Sequence, residues 1–475
     1  MVVRFKIFNI FILYIVFVVL FRSVLTTPHK DFFGIARYVK SYIPFVEYSF
    51  MIFLLVFSFT KIKVRGKHAS IWVQIVLLLV IFWLSVASNA AFSFDAVKFF
   101  AGYFLFIGIF VYSQTCMGRD KIVKKIKTLK KTFIVVFILQ FILNLTWYLN
   151  ISPIENSSRL KLGNVDWAYG TMMSTEECGS LSYFILTYIL IYLITSRNKI
   201  PVKIKAAFMA FGIMSICQIL WADAKLSMAL FVVVLAVAVI TIVKMNPFAR
   251  LTMAVMSVLL IVSAVLLYGW YTVNFRYQSL TIARVLLEQR EEFISRIGDN
   301  PKIIVEKNIV SILPEYVMVP ALGGGPGNVS SNFSRVTEKI ERSTSKTKIG
   351  DMVFGEVWNM TSSLIGFSVM VLPSTGVNSI WGDLGVFGLI LYLGVHITLI
   401  TKLIRCYGKS QRSESAEMTA LLFSVIVVLI HYTLYMYIYD ILYTGYRAPL
   451  LWIAGGMLIN YFERKENAVY ALGSY

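Results

Sequence analysis

The sequence predicts an all-α polytopic membrane protein with about 12 transmembrane helices and a large extracytoplasmic loop between helices 9 and 10. Of its 475 residues, 58% are hydrophobic and 15% are charged, whereas soluble domains carry roughly a quarter charged residues. Several apolar runs approach or exceed the roughly 18 residues that mark a membrane helix. Basic residues gather between these runs, as expected for segments that alternate across a bilayer.

The apolar runs define the predicted helices in order. The predicted spans are 6–25, 42–60, 70–89, 97–116, 132–150, 178–195, 204–221, 226–243, 251–271, 384–402, 417–436 and 447–462. The first run has no A-x-A-like cleavage site, so we expect it to remain as a helix rather than to be removed as a signal peptide.

These spans divide the chain into three parts. Residues 1–271 hold helices 1–9 with an outer loop at about 151–177, residues 272–383 form the large loop, and residues 384–475 hold helices 10–12 and a cytoplasmic tail. Within the large loop, 352–372 is apolar but contains Glu356, and we expect it to be re-entrant or interfacial. A full span there would move the basic connection at 402–412 to the outside.

The net charge of +20 is explained by topology rather than by nucleic-acid binding. The basic clusters at 61–67, 119–131 and 197–205 lie between apolar runs, and every second connection is the basic one. With Arg4 and Lys6 inside, the positive-inside rule predicts that both termini are cytoplasmic.

No pattern in the sequence is typical of a metal or redox site. Its 4 cysteines, Cys116, Cys178, Cys217 and Cys406, are scattered without metal-ligand spacing and lie at different depths of the predicted topology. The sequence contains no HExxH, paired CxxC or GxSxG motif. We therefore expect no metal, no cofactor and no disulfide framework.

Two predicted outer segments carry more polar residues than a linker needs. Residues 159–182 include an arginine, paired glutamates and several glycines. The large loop opens with a helical pattern over 279–297, which Gly298-Asp299-Asn300-Pro301 is predicted to end. A glycine-rich segment follows at 321–328. Such a turn can bring backbone amides near an anion, although it lacks the strand and lysine of a nucleotide site.

An enzyme on the outer face of a membrane has no nucleotide there, so its donor must arrive already activated. A lipid-linked diphosphate sugar meets this need, and arginine binds its phosphate oxygens in bidentate fashion. The predicted outer arginines are Arg159, Arg276, Arg284, Arg290, Arg296, Arg335, Arg342 and Arg447. Lys225 lies in a short outer turn, where it either binds an anion or snorkels to lipid headgroups.

The outer carboxylates and the helix histidines have structural as well as functional interpretations. Glu177 has capping-box spacing from Ser174, or it acts as a base or hydroxyl-orienting group beside the nearby arginine. Asp383 begins the tenth predicted helix, where a carboxylate suits the helix dipole. His396 and His431 lie within predicted helices and are expected to be packed rather than catalytic.

Four local patterns follow one another on the predicted outer side. They are Arg159, Gly163 and Glu177-Cys178-Gly179-Ser180; Ala224-Lys225-Leu226-Ser227; Asn300-Pro301 with Gly323-Gly324-Gly325-Pro326-Gly327; and Asn378-Ser379 with Asp383-Leu384-Gly385-Val386-Phe387-Gly388. Through these patterns the chain from about Arg159 onward resembles the bacterial O-antigen polymerase (Wzy-type) and O-antigen ligase superfamily.

The resemblance implies a glycosyltransferase at the outer leaflet of the bacterial cytoplasmic (inner) membrane. The product would be the O-antigen of lipopolysaccharide, a capsule or an exopolysaccharide. A growing chain on undecaprenyl diphosphate is the implied donor, and a hydroxyl of a new lipid-linked oligosaccharide repeat unit attacks its anomeric carbon. Implied partners are this lipid-linked oligosaccharide, membrane lipids and a polysaccharide chain-length regulator, with no nucleic acid.

The residues that match the patterns are the candidates for this chemistry. Catalytic candidates are Arg159, Glu177, Lys225, Arg290 and Asp383, and substrate-binding candidates are Arg276, Arg284, Gly325, Gly327 and Asn378. The cations would stabilise the leaving diphosphate, and one carboxylate or histidine would accept the hydroxyl proton.

The chain departs from the superfamily pattern at several positions. Cysteine follows Glu177 where the pattern has proline, lysine replaces an arginine at 225, and aspartate replaces glutamate at 383. The large loop also lacks the histidine of the ligases, which favours a polymerase and leaves the general base unassigned. A ligase and a lipid-linked oligosaccharide flippase or transporter remain the alternatives.

Overall fold

A computed structural model describes the chain in separate ranges. These are residues 69–89, 119–148, 175–196, 200–222, 225–242, 301–317, 319–325, 376–436, 454–463 and the single residues 49, 53, 452 and 465. All the regular structure in these ranges is helical, which confirms the predicted all-α class for this part of the chain.

Eight α-helices have defined bounds. They are α1 (Ala69–Ser88), α2 (Arg119–Tyr148), α3 (Thr175–Thr195), α4 (Val202–Ala222), α5 (Lys225–Ile242), α6 (Pro301–Tyr316), α7 (Gly376–Ser413) and α8 (Ala416–Tyr435). A short 3-10 turn, Pro320–Leu322, follows α6, and residues 454–463 are again helical.

Within the described ranges, three helices are long and apolar enough to cross a membrane: Val202–Ile219 in α4, Gly376–Gln411 in α7 and Ala416–Tyr435 in α8. Shorter apolar helical runs occupy Val73–Ser88, Gly179–Thr195 and Leu230–Ile242. These helices indicate a membrane protein. The count of 12 and the sides of the loops stay predictions. The predicted spans 6–25, 97–116 and 251–271, nearly all of 42–60, and the segment 352–372 lie outside the described residues.

Two helices extend well beyond their predicted spans. Helix α2 begins at Arg119 rather than at 132, and the part of α7 that follows its kink at Gly385 continues to Ser413 rather than ending at 402. Hydropathy indicates where the lipid-facing part of a helix begins and ends. The helix itself can continue past that boundary into segments rich in lysine and arginine, because both residues have good helix propensity.

One helix begins where the sequence was expected to end one. Pro301 is the first residue of α6, and the helix over 279–297 that it was predicted to follow lies outside the described residues. Proline suits the first helical position because its fixed φ is helical and its missing N–H has no partner to lose there.

Helix α8 is the centre of the described bundle. It packs against α3, α5 and α7, while α7 also packs against α1 and α3 against α4. In α8, 83% of the apolar segment that could span a membrane is buried, compared with 17% of the corresponding segment of α4. The exposed side chains of α4 include Met209 and Ile213, an apolar surface suited to lipid tails rather than to water.

Candidate functional site

The glycine-rich segment forms a tight turn after α6. The 3-10 turn Pro320–Leu322 closes with a hydrogen bond from Gly323 N to Pro320 O of 3.1 Å. Gly323 and Gly325 then take φ values of 76° and 93°, in the left-handed region that favours glycine. The two glycines therefore let the backbone double back toward α7.

Helix α7 is broken at Gly385, where φ is 69° and ψ is −174°. In a continuous helix, the carbonyls of Gly382 and Asp383 would accept bonds from amides four residues later. Here they accept from the glycine turn instead: Gly324 N donates to Gly382 O over 2.8 Å, and Gly325 N donates to Asp383 O over 3.2 Å. The break at Gly385 therefore leaves the carbonyls of Gly382 and Asp383 able to accept these hydrogen bonds from the turn.

Glycine is required on both sides of this contact. A Cβ at Gly385 would collide with the backbone carbonyl of Ala321, and a Cβ at Gly323 would lie 2.6 Å from Asp383 O. Past the kink, a Cβ at Gly388 would collide with the side chain of Leu384. Gly323 of the third sequence pattern and Gly385 of the fourth thus serve one close approach of two backbones.

Helix α1 holds this contact from a third direction. The Ser85 hydroxyl donates to Asp383 O over 2.9 Å, and the Asn89 amide donates to Gly323 O over 3.0 Å. Asn89 also donates to Ser85 O over 2.9 Å, which orients its side chain. We call Ser85, Asn89, Gly323–Gly325 and Gly382–Gly385 the glycine junction.

Two predicted site residues are buried at the junction. Asp383 is fully buried, and Asn378 is 1% exposed on the preceding turns of α7. Burying a carboxylate is costly, and acids inside membrane proteins characteristically line substrate or ion sites. Within the described ranges, no group of His, Cys, Asp and Glu side chains is arranged to hold a metal ion.

A second group of polar side chains lies between α3, α4, α5 and α8. The Tyr183 hydroxyl donates to Ser227 Oγ over 3.4 Å, and His431 Nε2 lies 2.9 Å from the Ser227 carbonyl oxygen. Beside them, Ser182 Oγ donates to Gln218 Oε1 over 2.9 Å. We call Ser182, Tyr183, Gln218, Ser227 and His431 the polar cluster, and all five are buried.

The junction and the cluster lie at the same end of the bundle. Val377 N, at the start of α7, donates to Met436 O just beyond α8 over 3.4 Å, and His431 lies in the last turns of α8. The backbone of Glu177 is in the first turn of α3, and Lys225 is the first residue of α5. Both precede the residues of the polar cluster on their own helices.

The predicted site residues divide by what the structure describes. Arg159, Arg276, Arg284, Arg290 and Gly327 lie outside the described residues, as does Ser174 of the expected capping box, and for Glu177 and Lys225 only the backbone is described. Gly325 and Asp383 are brought together by a hydrogen bond, and Asn378 lies on the same helical segment as Asp383. Asp383 was expected to begin a helix; α7 consists of two helices joined at the break at Gly385, so Asp383 lies at the end of the first and just before the start of the second.

Sequence reasoning missed Ser85 and Asn89 and assigned no role to Tyr183 or Gln218. The available signal for the first pair was the spacing of two small polar residues, four apart, at the end of the apolar run of α1. His431 is packed among aromatic rings, as expected, and it also hydrogen bonds to another helix.

Comparison with protein-family models and with curated proteins finds no match to this chain.

Proposed function

We propose that the chain is a membrane glycosyltransferase that polymerises undecaprenyl-diphosphate-linked oligosaccharide repeat units at the outer leaflet of the cytoplasmic membrane. One observation carries the proposal. The glycine turn and the kinked start of α7, about sixty residues apart in sequence, meet through two backbone hydrogen bonds beside the buried Asp383. These segments hold the third and fourth patterns of the polymerase resemblance.

The chemistry requires little beyond positioning and charge. The acceptor hydroxyl attacks the anomeric carbon of the donor, the bond to the diphosphate breaks, and the lipid diphosphate leaves with the electron pair. Arg159, Lys225 and either Arg284 or Arg290 are the proposed cations for that developing charge. Asp383 and Glu177 are the proposed carboxylates for the hydroxyl proton.

The test is a gel of surface polysaccharide from a deletion strain complemented with variants. Wild type is expected to restore a ladder of chain lengths, while Arg159→Ala gives only a single-repeat band and Lys225→Met gives a ladder shortened to a few repeats. Lys225→Arg restores the arginine of the resemblance and is expected to keep the ladder. Lys203→Met, which removes an equal charge from the predicted inner face at the start of α4, is the matched control.

Each alternative predicts a different gel. An intact ladder that stays on undecaprenyl diphosphate in the deletion strain would identify a ligase. A deletion strain with no outward-facing repeat units would identify a flippase. A full ladder from both Arg159→Ala and Lys225→Met would contradict the proposed site.

A further inference from the structure

His431 makes a contact that an ordinary packed histidine does not need. Its Nε2 lies 2.9 Å from the carbonyl oxygen of Ser227 on another helix. Because a carbonyl oxygen only accepts, this contact assigns the ring proton to Nε2. The Ser227 hydroxyl, 3.3 Å from the same nitrogen, accepts from Tyr183 over 3.4 Å. A single imidazole N–H thus links α8 to the first turn of α5.

We infer that His431 is a positioning residue that fixes the first turn of α5, and with it Lys225, relative to α3 and α8. The inference rests on the proposed role of Lys225 at the substrate diphosphate. Lys225 is the first residue of α5, and Ser227 is two residues further on. The histidine acts through the backbone of that turn, and it does not itself touch substrate.

The rings around His431 prevent the imidazole from turning away. Tyr435 stacks on it with centroids 5.6 Å apart and planes at 15°, and Tyr183 meets it edge-on at 5.2 Å. Tyr183 in turn stacks on Phe231 of α5 at 4.1 Å and 10°. Helices α3, α5 and α8 therefore meet at one cluster of aromatic rings and hydrogen bonds.

The position of a lysine at the start of a helix depends on the contacts that hold the first turn of that helix. Its long side chain amplifies any rotation of the turn that carries it, and misplacing a substrate-binding group by about 1 Å can cost on the order of a hundredfold in rate. Interhelical hydrogen bonds inside a membrane protein fix geometry in this way even where each adds only modest stability.

His396 provides a matched control in the same fold. It is also fully buried among aromatic rings, including Tyr392 and Trp452. Its Nδ1, however, bonds to the Tyr392 carbonyl of its own helix over 2.9 Å. Replacing His396 removes an equally buried imidazole without removing a hydrogen bond to the α5 turn.

The experiment measures initial rates of polymerisation in detergent, with lipid-linked repeat unit extracted from the deletion strain as substrate. His431→Phe is expected to raise KM for this lipid-linked substrate about tenfold, the scale of one lost hydrogen bond to a positioned group. His431→Gln places an amide N–H where Nε2–H was and is expected to stay within about threefold of wild type. His431→Asn, whose amide is too short to reach, should resemble His431→Phe, and His396→Phe should keep the wild-type KM.

The double variant with Lys225→Met separates positioning from general damage. If His431 acts through Lys225, His431→Phe should add nothing to the KM of Lys225→Met. Additive effects, or a wild-type KM for His431→Asn, would overturn the inference while leaving the proposed function intact. A full ladder from both Arg159→Ala and Lys225→Met would instead overturn the proposed site itself. Should His431→Phe fail to fold, the Gln and Asn pair decides, since both keep a polar amide.

Discussion

The hydroxyl of Ser85 donates a 2.9 Å hydrogen bond to the backbone carbonyl of Asp383, 298 residues further along the chain. One helical turn later, Asn89 donates to Gly323 O over 3.0 Å. The end of α1 therefore holds both halves of the glycine junction, although it precedes every segment in which the sequence shows the polymerase resemblance. Helix α1 therefore contributes directly to the geometry of the glycine junction.

Removing these donors should loosen the junction. Ser85→Ala and Asn89→Ala are each expected to lower the free energy of unfolding by about 0.5–1.5 kcal/mol, since the first deletes a buried hydrogen bond to α7 and the second a part-buried one to the glycine turn. The two effects should not add simply, because both bonds hold the same contact between the glycine turn and Asp383. Thermal unfolding of the purified protein in detergent measures both.

A buried serine elsewhere serves as the control for this prediction. Ser424 on α8 is fully buried and donates to Ala420 O within its own helix. Ser424→Ala should lower the free energy of unfolding less than Ser85→Ala, because it removes no bond between helices. Equal losses from the two variants would mean that the bond from Ser85 to Asp383 adds nothing beyond an ordinary buried serine.

Gly385 should be among the least replaceable residues of α7. Gly385→Ala puts a Cβ into the carbonyl of Ala321 and forces an unfavourable positive φ, so a loss of roughly 3 kcal/mol or more is expected. Gly408→Ala in the same helix meets open space and should stabilise it by about 0.5–1 kcal/mol. Folded yield and melting temperature of the two variants test the kink. Similar yields would show that α7 tolerates a straight path at 385.

The helices that the sequence predicts well are those whose ends coincide with the edges of an apolar run. The predicted spans 70–89 and 417–436 correspond to α1 at Ala69–Ser88 and α8 at Ala416–Tyr435. Each is about 20 apolar residues between polar turns, the length a bilayer requires. Where charged residues continue the helix, as at the start of α2, hydropathy gives no signal for the end.

The candidate site was predictable only through residue patterns, not through geometry. The glycine patterns named Gly325 and Asp383 separately, and the structure joins them by a hydrogen bond. The hydrophobic periodicity of the sequence predicts neither the kink at Gly385 nor the hydrogen bond from Ser85 to Asp383. A glycine within a helical pattern is compatible with a straight helix, a kink or a close contact, and single-sequence patterns carry no information on contacts 298 residues apart.

The pair Ser182 and Gln218 should show strong coupling. Ser182 Oγ donates to Gln218 Oε1 between α3 and α4, and the buried Gln218 Nε2 atom has no hydrogen-bond partner among the described residues. Ser182→Ala alone leaves the amide oxygen unsatisfied and should cost about 1–3 kcal/mol. Gln218→Met together with Ser182→Ala removes both polar groups and should return close to wild-type stability. A double-mutant cycle of unfolding midpoints measures the coupling, and simple additivity would contradict it.

The ion pair of Lys130 and Glu417 ties α2 to the first turn of α8, just before the predicted span at 132. The Lys130 ammonium lies 2.8 Å from Glu417 Oε1 and 3.1 Å from the Tyr188 hydroxyl. Burial alone would lower the pKa of Lys130, but the hydrogen bonds to Glu417 and Tyr188 outweigh it, so the pKa is raised above its ordinary 10.5. Because the pKa of Lys130 is raised in the folded protein, the ion pair stabilises the fold fully below about pH 10.5. This stabilisation is lost as the pH rises through the pKa of Lys130 in the folded state.

Lys130→Met should therefore lower stability by about 0.5–1 kcal/mol, a value limited by solvent screening because the Lys130 side chain is 30% exposed and that of Glu417 48%. The difference in melting temperature between wild type and Lys130→Met should stay constant from pH 7 to pH 9 and shrink only at more alkaline pH. Lys131→Met, which removes a neighbouring exposed lysine, is the control and should have little effect. A difference that already declines between pH 7 and pH 9 would contradict the raised pKa, because a lysine with a lowered pKa would lose its charge in that interval.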